Sequence, residues 1–159
     1  MDMQGDIHMP TVFDVKSDLL LKRASDYFKQ STILQPMPYL QYVKSGSHTI
    51  HQPIKQDWWY LRAASLLRKV YTKGPISLKE LEKEYGGRKR VGYRIAHHRD
   101  AGSSIIRKLL IQLQAANLIT KTPKGRVITP EGRSLMDKLS AQVFEEMKKE
   151  DESLKKFEI

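Results

Sequence analysis

The sequence predicts a mainly α-helical protein, and three observations carry that prediction. Apolar residues recur at the i, i+3, i+4, i+7 spacing of amphipathic helices in four stretches, 17–30, 57–71, 103–117 and 130–147. A capping box, Ser77-Leu78-Lys79-Glu80, opens a further short helix. The one clear hairpin signal is confined to the two short runs that flank Pro123-Lys124-Gly125. With 159 residues, of which 40% are hydrophobic, the chain can bury a core, and one domain is the default.

In chain order, Ser17 to Gln30 places Leu20, Leu21, Ala24, Tyr27 and Phe28 on one helix face, with Ser17 positioned as its N-cap. Pro36 and Pro38 then break the helical pattern. Tyr39 to Val43 reads as one short helix, Ser45-Gly46-Ser47 as a flexible link, and the chain up to Pro53 as loop. Asp57 is an acid suited to cap the next helix, which runs to Tyr71 and puts Trp59, Ala63, Leu66, Leu67 and Val70 on one side. Gly74-Pro75 breaks it, and the short helix from the capping box ends before Gly86-Gly87. The basic segment that comes next reads as neither a good helix nor a good strand, and is expected to be a loop. Ser103 to Asn117 then aligns Ile106, Leu109, Leu110, Leu113 and Ala116, leaving Ser104, Arg107, Lys108 and Gln114 outward. Leu118–Thr122 and Arg126–Thr129 form a hairpin with Lys124 at its tip. Pro130-Glu131-Gly132 starts a last helix through Leu135, Leu139 and Val143 to about Met147.

Helix, short helix, helix, hairpin, helix is the order of a winged-helix domain, a helix-turn-helix variant with a small β-hairpin wing, here with additional N- and C-terminal helices. The expected organisation is a disordered extension over residues 1–10, a single winged-helix-like domain over 11–147, and a charged, fraying tail over 148–159.

The formal net charge is +10, and it is unevenly spread. Residues 86–108 carry seven basic side chains (Arg88, Lys89, Arg90, Arg94, Arg99, Arg107, Lys108) against the single acid Asp100, so more than half of the excess lies in one short stretch. Such a patch favours polyanionic partners through long-range attraction and released counterions, and nucleic acid leads. Cysteine is absent, which excludes disulfides, thiolate nucleophiles and Cys-type metal sites and suits a cytoplasmic location. No apolar run approaches the roughly 20 residues that span a bilayer, and no basic amphipathic helix with a broad aromatic face suggests membrane-surface binding. His97-His98-Arg99-Asp100 is the only candidate for metal or acid–base chemistry. Adjacent histidines point apart on a regular backbone and no second ligand pair accompanies them, so no metal, cofactor or catalytic residue is expected.

The candidate interface has three parts. On the helix 57–71 the 3.6 period brings Trp58, Arg62, Ser65 and Lys69 together opposite the apolar side, with Arg68 on the flank. These cations could be solvated or paired with the acids near residue 80, or could stack and fork onto a nucleic-acid backbone. The basic segment supplies Arg88, Lys89, Arg90, Arg94 and Arg99. In a winged helix this segment, the exposed side of the third helix (Arg107) and the wing tip (Lys124) converge on one side.

Four ordered stretches resemble a known family. DWWYLRAASLLRKVY (57–71), YGGRKRVG (85–92), AGSSIIRKLLIQLQAANLI (101–119) and GRVITPEGRSLMDKL (125–139) are similar to motifs of the archaeal and eukaryotic small-subunit ribosomal protein S19e family, and TVFDVKSDLLL (11–21) fits its opening. The likeness covers roughly Thr11 to Val143. It departs at Met37-Pro38-Tyr39-Leu40, which lacks the tryptophan usual after the proline, and over Gly46 to Gln52. The resemblance implies a winged-helix-like, non-catalytic protein in the head of the small ribosomal subunit, bound to ribosomal RNA beside other head proteins and needed for subunit maturation. It points to Arg62, Arg68, Arg88, Lys89 and Arg90 as RNA contacts. The competing expectation is a DNA-binding winged-helix transcriptional regulator; such proteins normally dimerise across two half-sites, whereas no terminal heptad zipper is visible here and a free monomer is expected.

Overall fold

The computed structural model describes residues 9–55 and 57–150, with the side chain of Glu150 excepted. Five α-helices and two antiparallel hairpins succeed one another in the order α1 (Ser17–Gln30), a 3-10 turn (Pro38–Tyr42), α2 (Trp58–Lys73), α3 (Leu78–Glu84), β1 (Gly87–Lys89), β2 (His97–Arg99), α4 (Ser103–Ala115), β3 (Ile119–Thr122), β4 (Gly125–Ile128) and α5 (Pro130–Glu150). The protein is therefore mainly α-helical, with small antiparallel hairpins.

The apolar stripes read from the sequence are the ones that meet. Trp59, Ala63, Leu66, Leu67 and Val70 of α2 are all buried, and α2 packs on α1, α4, α5 and β4. Leu20, Ala24 and Phe28 come from α1, Ile106, Leu109, Leu110 and Leu113 from α4, and Met136, Leu139 and Val143 from α5. Each such leucine or phenylalanine contributes about 1.5–3 kcal/mol when fully withdrawn from water, so α2, which supplies the most, organises the rest. Ile76 exchanges backbone hydrogen bonds with Arg126 (3.1 and 2.8 Å), fastening the chain before α3 to β4.

Three local expectations are corrected. Ser17 is the first residue of α1; Lys16 occupies the N-cap and no side chain caps there. Asp57 does hold the N-cap position of α2, but its carboxylate accepts from Lys29 Nζ at 2.8 Å instead of from the helix's own N–H groups. The strong surface cation drew it away. The basic segment is not a loop but the β1–β2 hairpin, pairing Gly87 with Arg99, Arg88 with His98 and Lys89 with His97. Three-residue strands, the first of them beginning on glycine, carry almost no periodicity, so long-range anchoring decides them.

That anchoring requires Gly86 and Gly87. A Cβ on Gly86 would lie 2.5 Å from the Arg99 carbonyl oxygen, and one on Gly87 would lie 2.6 Å from His48 Cδ2. The double glycine thus allows the hairpin's own strands, and the 45–49 loop, to close on its base. Ala101 N–H donates to the Glu82 carbonyl at 2.9 Å and returns the second strand to α3. The expected N-terminal extension and charged tail fall largely on residues 1–8 and 151–159, outside the described residues; α5 itself continues to Glu150, past the Met147 expected.

At α3 the capping box is complete: the Ser77 hydroxyl accepts from Glu80 N–H at 3.2 Å and the Glu80 carboxylate accepts from Ser77 N–H at 2.7 Å. These bonds hold the Glu80 carboxyl below its ordinary value. A depressed carboxyl stabilises the fold above its unfolded pKa and loses that contribution as pH falls through the folded value. Ser77→Ala is expected to lower stability by about 1 kcal/mol in urea unfolding at neutral pH, with the difference from wild type shrinking in acid below the ordinary glutamate range.

Candidate nucleic-acid interface

The outward side of α2 does not simply face water. Tyr85, at the C-cap of α3, slides its ring beneath two of its cations: Arg62 Cζ is 4.3 Å and Lys69 Nζ 4.4 Å from the ring centroid. The Tyr85 hydroxyl is 2.8 Å from Ser65 Oγ. The Glu84 carboxylate bridges the ammonium groups of Lys69 and Lys73. Arg62 also makes a long bond of 3.4 Å to the Ser45 carbonyl. Burial pushes the Arg62 guanidinium below its ordinary value, and burial pushes the Tyr85 hydroxyl up against the opposing pull of Ser65 and Arg62. Burial, then the charges of Arg62 and Arg68, lower Lys69.

From this cluster the 45–49 loop leads to the hairpin. Lys89 Nζ donates to the Ser47 carbonyl at 2.8 Å, and Ser47 Oγ donates to the Asp100 carbonyl. Asp100 is in turn 3.3 Å from His98 Nε2. Arg62, Lys69 and Lys89 thus belong to one connected region, and the hairpin extends from it. Arg88, Arg90, Arg94 and Arg99 are exposed and make no ion pair among the described residues. Between them the turn bares Val91, Tyr93 and Ile95, with Tyr93 fully exposed. Sequence reasoning passed over these three; the signal was an aromatic and two β-branched residues interleaved with arginines, with Gly92 at φ +62° for the turn.

Other sequence candidates are placed differently. Trp58 is half-buried, edge-on to Trp59 with centroids 6.0 Å apart, and so belongs partly to the core. Arg68 is half-buried and its Nε has no partner among the described residues. Arg107 projects from α4 and Lys124 from the β3–β4 turn, both exposed. Lys108 instead rests over the Tyr39 ring, 4.3 Å from its centroid. No group of three or more His, Asp or Glu among the described residues could hold a metal ion, and no described helix is long and apolar enough to cross a membrane.

The fold and site define a class: a helical body that organises part of its surplus charge internally and presents the rest on exposed basic hairpins. Residues 11–146 match the family model of ribosomal protein S19e. The chain is 38% identical over 152 residues to the small ribosomal subunit protein eS19 of Aeropyrum pernix and 36% identical over 149 residues to that of Thermoplasma acidophilum, in each case covering 94% of this chain and 99% of the relative. It is 34% identical to the eS19 of the hagfish Myxine glutinosa over 134 residues, 84% of this chain and 92% of that one. The chain belongs to the ribosomal protein S19e family, a family of structural constituents, and it is not an enzyme.

Because one ring supports two cations and one hydroxyl bond, Tyr85→Ala is expected to cost about 2 kcal/mol in chemical unfolding. Tyr85→Phe, which keeps the ring and loses only the bond to Ser65, is expected to cost about 1 kcal/mol. Equal losses in the two variants would remove the ring from the account.

Proposed function

We propose that the protein is a structural constituent of the small ribosomal subunit that binds ribosomal RNA in the subunit head, next to other head proteins, and supports maturation of the subunit. The observation that carries this reading is the β1–β2 hairpin, whose Arg88, Arg90, Arg94 and Arg99 are exposed without a carboxylate partner among the described residues, in a chain whose relatives are small-subunit proteins. Arg62, Lys69 and Lys89 hold and charge the base of that hairpin, Trp58 and Arg68 flank it on α2, and Arg107 and Lys124 add contacts from α4 and the second hairpin.

The arrangement that fits this role is a winged-helix domain over 11–147, with α2, α3 and α4 as its three helices and β3–β4 as its wing; the Ile76–Arg126 bridge supplies the short strand that such a wing pairs with. The protein works in the cytoplasm on the ribosome and is a monomer when free. Folded ribosomal RNA offers A-form backbone whose deep major groove side chains cannot read, so phosphate and 2′-hydroxyl contacts dominate.

Replacing Arg88 and Arg90 together with glutamate is expected to weaken binding to small-subunit head RNA by more than tenfold, because each lost phosphate contact also lowers the slope of log affinity against log salt by about 0.7–0.9. Thermal unfolding should change little, both side chains being exposed. Unchanged RNA affinity, or a stable dimer that prefers a specific DNA duplex at about 0.15 M salt, would count against the reading.

A further inference from the structure

The β1–β2 hairpin is not a flat ribbon. On one side it forms an open cup of about 340 Å³ lined by Lys89, Val91, Arg94, Ile95, the adjacent His97 and His98, and Arg99. The register accounts for part of this: Lys89 faces His97 and Gly87 faces Arg99 across the ladder, so Lys89, His97 and Arg99 share a face, with His48 packed over Gly87 at its base. Val91 and Ile95 are 64% and 80% exposed.

Size, charge and apolar lining together select the occupant. The cup combines three cations with two bare aliphatic side chains. A free phosphate would use the cations and leave Val91 and Ile95 in water. The backbone of a continuous duplex would lie across the rim for the same result, its bases being stacked and paired out of reach. An unpaired nucleotide presents an anionic phosphate and a flat, largely apolar base face in one unit, and the volume admits one. We propose that this cup holds a single unpaired nucleotide of RNA, its base against Val91 and Ile95 and its phosphate against Arg94 and Arg99. The inference rests on the RNA-binding function proposed above and adds to it a preference for bulged or looped sites.

The test compares the full chain on a fully paired RNA duplex and on the same duplex carrying one unpaired 2-aminopurine nucleotide. Wild type is expected to bind the bulged duplex about fivefold more tightly, because the base face leaves water against two aliphatic side chains, and to change the fluorescence of the probe. Val91→Ser with Ile95→Ser, both exposed and outside the core, is expected to abolish that preference while leaving affinity for the paired duplex and the helical circular dichroism unchanged. Equal wild-type affinity for the two duplexes overturns the cup, as does a preference that survives the double substitution or a parallel loss on both duplexes. If Arg88→Glu with Arg90→Glu still weakens both duplexes in those cases, RNA binding stands and only the cup fails; if wild type binds neither RNA, both readings fall.

Discussion

The placement of the Tyr85 ring is the constraint on which the basic side of the molecule depends. Helix α2 must bury one side to make a core and, by the same 3.6 period, stacks Arg62, Ser65 and Lys69 on the other. Left alone, those cations would repel one another and the nearby Arg68. Tyr85 offers the negative face of its ring to two of them, and Glu84, one residue earlier, offers its carboxylate to Lys69 and Lys73. Each cation–ring contact contributes about 1 kcal/mol, and the partly buried carboxylate adds more than an exposed ion pair would. Since Tyr85 directly precedes Gly86-Gly87, the residue that quiets α2 also fixes where the hairpin begins.

The cations divide into those that build and those that remain available. Arg62, Lys69 and Lys89 are engaged with Tyr85, Glu84 and the carbonyl oxygens of Ser45 and Ser47. Their charge still contributes to the surface field, but their donors are partly used, and substituting them disturbs structure as well as any anion contact. Arg88, Arg90, Arg94 and Arg99 have no such internal duty among the described residues. A hairpin fastened at its base by Lys89, Ser47 and the Gly87–His48 contact, and bare at its turn, presents those arginines with little ordering left to do. Pre-ordering reduces the entropy that an ion contact must overcome.

The sequence made the four long helices legible because each buries an apolar stripe, from three residues on α1 to seven on α2, and such stripes survive any detail of the surroundings. Ser77 and Glu80 were legible for a different reason: a capping box is local, and both partners lie within one turn. Two of the failures share one cause. Asp57 and the β1–β2 strands were judged on near neighbours, whereas Lys29 reaches Asp57 from 28 residues away and the 45–49 loop reaches Gly87 and Asp100 from farther along the chain; Ser17 misses the cap by a single residue. For the interface, charge counting found the arginines of the hairpin but could not tell Arg62, drawn onto Tyr85, from Arg90, left exposed; both are arginines in a basic region. Nor could it value Val91, Tyr93 and Ile95, whose exposure is a property of the turn they occupy.

Helix α4 bears on what kind of nucleic acid this surface suits. A helix that reads base edges in a DNA major groove needs several donors and acceptors along one exposed side. On α4 that side holds Ser104, Arg107, Ile111 and Gln114, with Ile111 more than half exposed. Two other polar residues of α4 are already engaged: Lys108 with Tyr39, and Gln112, which donates to the Gln35 carbonyl at 2.8 Å. An isoleucine in the middle of the readable strip would leave base-edge groups without partners on binding, at a cost of about 1–3 kcal/mol for each one buried. The strongest concentration of free cations lies instead on the β1–β2 hairpin, a protruding element that needs no wide groove. Such an element is suited to the ridges of phosphate and displaced bases of a folded RNA, so, on the proposed function, the placement of charge on a hairpin, with an apolar residue at the centre of the exposed helix, favours recognition by shape.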